Sequence, residues 1–168
     1  LPKPSLLLAS CCKVLVVNGG KFGERWVKMP KVFGLNVVEI KVEWGKAPTE
    51  EQVLAALKAN PNAKAVYLTH SETSTGAATD VKALAKLIRE NSQALVCVDG
   101  ITAVGAHEMR FDEWGIDICV TGSQKGLMIP PGLAFVAVSQ RAAAAMESSK
   151  LPKFYFDLRK ALKSYADN

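Results

Sequence analysis

The sequence is short of most features that would tie a chain to a narrow functional class. Its 168 residues include only four cysteines and two histidines. Cys97 and Cys119 lie inside apolar runs, where a free thiol packs as a small hydrophobe, and Cys11 and Cys12 are adjacent. No cysteine pair has the spacing of a disulfide framework or a zinc ligand set, and His70 and His107 are far apart, so no metal site is expected. Such thiols suit a reducing compartment; a cytoplasmic location is expected, with an organelle such as the peroxisome left open. No apolar stretch reaches the roughly 18 residues of a membrane span. Leu6-Leu-Leu-Ala-Ser-Cys11 superficially resembles a lipoprotein cleavage site, but its apolar part is too short for a signal peptide. Neither G-x-G-x-x-G nor G-x-x-x-x-G-K-[ST] occurs, which leaves nucleotide binding weakly supported. A basic run is also missing. The net charge of +5 is spread along the chain as a solvated surface and not as a nucleic-acid footprint.

What remains is ordinary globular composition, 49% hydrophobic and 22% charged, long enough for a single domain over residues 1–168. There are no repeats, low-complexity tracts or linkers. Short apolar runs at Lys13–Val17, Ala65–Thr69, Ala94–Val98, Ile116–Thr121 and Leu133–Val138 read as buried strands, and Val37–Val42 alternates as a strand does. Helices are predicted over Glu24–Phe33, with Gly34 as a stop and Pro30 implying a kink or early end. Others follow a Thr49-Glu-Glu-Gln52 capping box to Ala59, span Asp80–Asn91 with Val81, Leu84, Leu87 and Ile88 on one face, and cover Gln140–Ser148 and Phe154–Ala166. Asp112–Trp114 reads as a short helical turn. Alternating strands and helices, with strands apolar on both faces, specify an α/β domain whose mostly parallel sheet is covered by helices on both sides. The last strand has no helix before it and is expected to run antiparallel.

In such sheets ligands sit at the carboxyl ends of strands. Four exits there carry conspicuous residues: Asn18-Gly-Gly-Lys-Phe-Gly23, Thr69-His-Ser-Glu-Thr-Ser-Thr-Gly76, Asp99-Gly-Ile-Thr102 and Ser123-Gln-Lys125. Each has a plain structural alternative. Lys125 reads equally as a surface lysine in a strand-exit loop, and Asp99 as the cap of a turn. The hydroxyl run could be a helix entry capped by Asp80, and Phe22 a core residue. Together they have a chemical logic. A lysine held at a buried or half-buried strand exit becomes a nucleophile for Schiff-base chemistry. A pyridinium electron sink needs that lysine, and an acid at its ring nitrogen. It also needs an apolar or aromatic face, hydroxyls near its phenolic oxygen and donors for its phosphate.

On these residues the chain resembles the class V (fold type I) pyridoxal-phosphate aminotransferases, specifically the alanine/serine–glyoxylate group. The resemblance rests on Asn18 to Arg25, Thr69 to Gly76, Val98-Asp-Gly-Ile-Thr-Ala-Val-Gly105 and Trp114 to Lys125, continuing through Pro131-Gly132. The soluble hydrogenase small (tritium-exchange) subunit, of the same family, is similarly close. The resemblance implies that the chain is the large, cofactor-binding domain of such an enzyme, and that pyridoxal 5'-phosphate is its cofactor. Lys125 would form the internal aldimine and shuttle the proton, and Asp99 would pair with the pyridine nitrogen. Ile101 and Phe22 would cover the two ring faces, Thr73 would reach the phenolic oxygen, and Gln124 with Ser123 would hold the phosphate. It further implies amino transfer from alanine or serine to a 2-oxo acid such as glyoxylate, in a homodimer.

Departures from that pattern are expected to matter. The family's N-terminal phosphate cradle and C-terminal small domain, with its carboxylate-binding arginine, have no counterpart here, and Ala9-Ser-Cys-Cys12 stands where a Pro-Gly-Asp turn is usual. A weakly active or inactive fragment is therefore expected. Two rivals remain: a cysteine desulfurase-like enzyme, against which Gln124 and Phe22 stand where that group has histidines, and a non-enzymatic accessory subunit of the same fold.

Overall fold

A computed structural model describes residues 12–167. The stretch Leu6 to Cys11, with its resemblance to a cleavage site, lies outside the described residues, as do the first three residues of Ala9-Ser-Cys-Cys12. The strands are β1 (Lys13–Asn18), β2 (Asn36–Lys41), β3 (Ala65–Thr69), β4 (Ser71–Glu72), β5 (Ala77–Ala78), β6 (Leu95–Asp99), β7 (Ile118–Gly122) and β8 (Ala134–Val138). The helices are α1 (Lys21–Val32), α2 (Glu50–Ala59), α3 (Val81–Asn91), α4 (Gln140–Glu147) and α5 (Leu158–Ala166). Six strands form one sheet in the order β2-β1-β3-β6-β7-β8. The first five are mutually parallel, and β8 pairs antiparallel with β7 along the edge, as the missing crossover helix implied.

The side-chain alternation of the strands builds two cores. Leu15, Val17, Val66, Leu68, Val96 and Val98 face α2 and α3, meeting Val53, Leu57, Leu84 and Ile88. The intervening Val14, Val16, Ala65 and Cys97 face α1, meeting Val27 and the half-buried Trp26 and Tyr67. The alternation places Asp99, two residues beyond Cys97, on the α1 side. The chain leaves β1 toward β2, then crosses back to β3, so the strand order reverses around β1. Such a reversal opens a crevice at the carboxyl ends of the strands.

The local signals for α2 and α3 operate as read. Thr49 and Gln52 form the reciprocal capping box, and Asp80 accepts from the Ala83 amide. Helix α1 departs from expectation. It begins at Lys21, three residues early, because its first amides are capped by a distant carboxylate, described below. It also passes through Pro30. The proline lies within the last turn, and a terminal motif finishes the helix two residues later. There the Leu35 and Gly34 amides bond to the Pro30 and Lys31 carbonyls (3.0 Å each), with Gly34 at φ 78°.

Three further differences concern loops. The hydroxyl-rich exit of β3 folds into a two-residue antiparallel hairpin, β4 with β5, instead of entering α3 directly. Residues 111–115 form hydrogen-bonded turns and no helix. Finally, α5 starts at Leu158, where Asp157 caps it, and not at Phe154. Phe154, Tyr155 and Phe156 are 84–88% exposed, and α5 itself buries no residue.

Candidate functional site

Parallel strands β1, β3, β6 and β7 deliver their exits to one sheet edge, and side chains tie these exits together. From β1, α1 offers free backbone amides at its positive end. Glu72, 4% exposed, turns its carboxylate onto them. The Phe22 amide donates to both oxygens (3.3 and 3.2 Å) and the Gly23 amide to Oε2 (2.9 Å). Ser74 donates its hydroxyl to Glu72 Oε1 (2.6 Å) and accepts from the Lys21 amide (2.9 Å). A side chain at Gly20 would strike the Glu72 side chain at 2.5 Å, so this close approach requires glycine. The amides after Gly19-Gly20 are thus already occupied, which argues against a phosphate loop there. Nothing in the sequence marked Glu72 except its place in the hydroxyl run.

The second tie reaches the acid. Asp99, half-buried at the end of β6, accepts from Trp26 Nε1 at Oδ2 (2.7 Å) and from the Ile101 amide at Oδ1 (3.0 Å). Trp26 stacks on Tyr67, with centroids 5.3 Å apart and planes 29° apart. Burial, and then the nearby Cys97, push the Tyr67 phenol well above its ordinary range, so it stays neutral. Trp26 lies four residues after Phe22, on the same face of α1. That spacing was the one sequence signal that could have found it.

The third tie joins β3 to β6. Thr73 is exposed and donates to Thr102 Oγ1 (3.2 Å), which donates to the Ser71 carbonyl (2.9 Å). A hydroxyl rotor of this kind can turn toward a stronger acceptor. The fourth joins β6 to β7. A side chain built on Gly122 would come within 3.2 Å of Gln124 Oε1 and 3.8 Å of Ile101 Cδ1. Ile101 and Gln124 therefore converge across a notch that glycine keeps open. Beyond it the backbones of Gly105 and Gly126 touch, since a Cβ on Gly105 would lie 2.8 Å from the Gly126 carbonyl.

Two expectations change here. Ser123 is fully buried, donating to the Pro130 carbonyl (2.7 Å) and accepting from the Leu133 amide (3.3 Å). Its hydroxyl is spent inside the loop, so it anchors the turn and is not on its surface. Lys125 is exposed, not buried or half-buried. The apolar residues expected to shelter it, Leu127, Met128 and Ile129, are themselves 37%, 89% and 43% exposed. Phe22 is half-buried, with the Arg25 guanidinium 5.4 Å from its ring centroid.

The buried thiols Cys97 and Cys119 offer no rival nucleophile. Burial pushes Cys97 up to about 12 and Cys119 up to about 11, with Asp117 and Asp99 respectively adding to the effect. A cleft of about 580 Å³ runs along α3 from Asp80 to Glu90 and includes none of the four exits. Its lining is mostly solvated charge. The exits instead carry the Lys125 amine, the Asp99 carboxylate fixed by two donors, the aliphatic Ile101, the aromatic Phe22, the Gln124 amide and the hydroxyls of Thr73 and Thr102. That set fits a flat ring with a basic ring nitrogen and a carbonyl carbon.

Residues 13–160 match the family model described as aminotransferase class-V. The chain belongs to the class-V aminotransferase family. Over 158 residues it is 48% identical to the soluble hydrogenase 42 kDa subunit of Anabaena cylindrica, covering 93% of this chain and 41% of that protein. It is 41% identical to L-aspartate–glyoxylate aminotransferase of Paracoccus denitrificans, covering 93% and 40%. The crystal structure of alanine–glyoxylate aminotransferase from Nostoc superposes with a TM-score of 0.86 at 31% identity, covering 95% of this chain and 43% of that one. The chain thus spans about two fifths of the length of the class-V proteins it matches, and its α/β sheet is the fold they share.

Proposed function

We propose that this chain carries the cofactor-holding part of a pyridoxal-phosphate-dependent aminotransferase. The intact protein moves an amino group from alanine or serine to a 2-oxo acid such as glyoxylate, and works as a homodimer. The observation that supports this most is Asp99, held between the Trp26 and Ile101 donors on the sheet edge from which Lys125 also projects. When bound, the cofactor's protonated pyridine ring supplies the electron sink that lets a bond at the substrate Cα break.

The chain's own groups do the rest. Lys125 Nζ would be the amine that holds the cofactor's carbonyl carbon and, once released, would take and return the proton at the substrate Cα. Asp99 would face the ring nitrogen and keep a proton there by opposite charge. Ile101 and Phe22 would cover the two faces, Thr73 would turn its hydroxyl toward the phenolic oxygen, and Gln124 would reach the phosphate from the loop that Ser123 anchors. The exposure of Lys125 leaves water in contact with the reacting centre, so the chain by itself turns over weakly or not at all.

The test is the visible spectrum of the purified chain with added pyridoxal phosphate. A band that borohydride fixes covalently onto Lys125, located by peptide mapping, is the expected result. An identical spectrum and identical labelling in Lys125→Ala would sink the lysine's role. Donor choice is read on the intact protein by offering alanine, serine and aspartate with glyoxylate; aspartate outrunning the other two would correct the substrate. The name of the Anabaena relative favours a second reading, a non-enzymatic subunit of the same fold. A folded chain that leaves the cofactor's spectrum untouched is the outcome that supports it.

A further inference from the structure

Asp99 is the group whose orientation the chemistry above depends on, and an aspartate carboxylate turns freely about its last bond unless something stops it. Both oxygens are engaged here, and the two donors differ in kind. The Ile101 amide belongs to the same loop, two residues on, and moves with it. Trp26 Nε1 comes from a separate element, α1, 73 residues away in sequence. Its ring is clamped on Tyr67, which is itself packed in the core against α1. The start of α1 is pinned in turn by Glu72 and Ser74. The indole is therefore a rigid arm carrying a single donor, which ends on the catalytic-edge carboxylate.

We propose that Trp26 is a positioning residue for Asp99: its indole N–H fixes the carboxylate plane so that one oxygen edge stays aimed at the ring nitrogen of the cofactor. This rests on the cofactor reading given above. A donor to a charged acceptor is worth more than a neutral hydrogen bond. Its loss here frees the carboxylate to rotate, and the expected consequence is a roughly ten-fold weaker hold on the cofactor.

The experiment compares Trp26→Phe with Trp26→His. Phenylalanine keeps a ring against Tyr67 and has no donor. The imidazole of histidine overlays the pyrrole half of an indole and can place an N–H where Nε1 stood. If Trp26 acts through its donor, the phenylalanine variant loses about ten-fold in pyridoxal-phosphate affinity and the histidine variant recovers part of it. A residue that merely fills space gives the reverse order, because phenylalanine is the better apolar replacement. A second readout needs no cofactor: in the ¹H–¹⁵N spectrum of the unloaded chain, Asp99→Asn should move the Trp26 indole cross-peak, assigned by its absence in Trp26→Phe. An unmoved cross-peak, or a phenylalanine variant that binds as tightly as the parent, overturns this inference while leaving Lys125 labelling intact. A parent chain that takes up no cofactor overturns the proposed function, and this inference with it.

Discussion

The two sides of the crevice are built to different standards. On the β1–β3–β6 side, the functional groups rest on a sheet covered on both faces, with Leu15, Val16, Val66 and Val96 fully buried beneath them. Glu72, Trp26 and Asp99 there are locked by side-chain hydrogen bonds from other elements. On the β7–β8 side, the edge strand exposes Phe135 and Val136 by 41% and 43%, and Lys125 projects from a loop held by Ser123, by the Met128 amide on the Lys125 carbonyl (3.0 Å) and by the Gly105–Gly126 contact. The acid is pre-set, and the amine is free to move. A binding site gains from having its charge fixed before the ligand arrives. A lysine that must both hold the cofactor and carry a proton needs reach and mobility.

This contrast can be broken most forcefully by removing support beneath each side. Leu15→Ala, at a site with no exposure, is expected to cost about 2–5 kcal/mol by urea denaturation. Phe135→Ala on the exposed edge should cost about 1 kcal/mol or less despite the larger side chain. Equal losses would show that β8 is as well packed as the centre. A smaller effect is expected where the two sides meet. Gly105→Ala places a Cβ 2.8 Å from the Gly126 carbonyl at a φ of 86°, for a cost of about 1–3 kcal/mol. The same change should reduce covalent trapping of the cofactor on Lys125 while the Trp26 indole cross-peak stays in place. Movement of that cross-peak would mean that the acid side is not independently held.

The smallest effect concerns pH. His70 is buried beside His107 (ring centroids 5.4 Å apart) and Trp114. Burial, and then the charge of His107, lower it below its usual 6.5, with Asp80 opposing. The unfolded chain therefore binds more protons than the folded one between that lowered value and 6.5, so stability rises with pH across the window. Going down from about pH 7.5 to about 5.5, the denaturation midpoint should fall, and His70→Gln should flatten the dependence. A parent midpoint that rises on acidification would contradict the assigned burial of His70.

Much of the sheet was legible in the residues because its signals are local. Apolar runs such as Val14–Val17 and Leu95–Val98 mark buried strands by length and composition, and Thr49 with Gln52 writes its own cap. The placement of the exits was legible: Asp99, Ile101 and Gln124 stand at neighbouring strand ends as expected, whereas the bridge from Thr73 to Thr102 was not foreseen. The early start of α1 was not legible, because the group that caps it is 50 residues further along the chain. The exposure of Lys125 was legible only as one of two readings, since neighbours such as Leu127 and Met128 are apolar in the sequence and still end on the surface.

The sequence by itself determined which segments become the six strands of the main sheet, that this sheet is mostly parallel with its last strand reversed, and hence that four polar exits share one edge. These follow from hydrophobic period and strand polarity, which each segment carries in its own residues. Only the tertiary structure decided which side chains hold which. Trp26 finds Asp99, and Glu72 finds the start of α1, because close packing brings together groups that no local pattern relates. The same packing buried the hydroxyl of Ser123 and left the amine of Lys125 free.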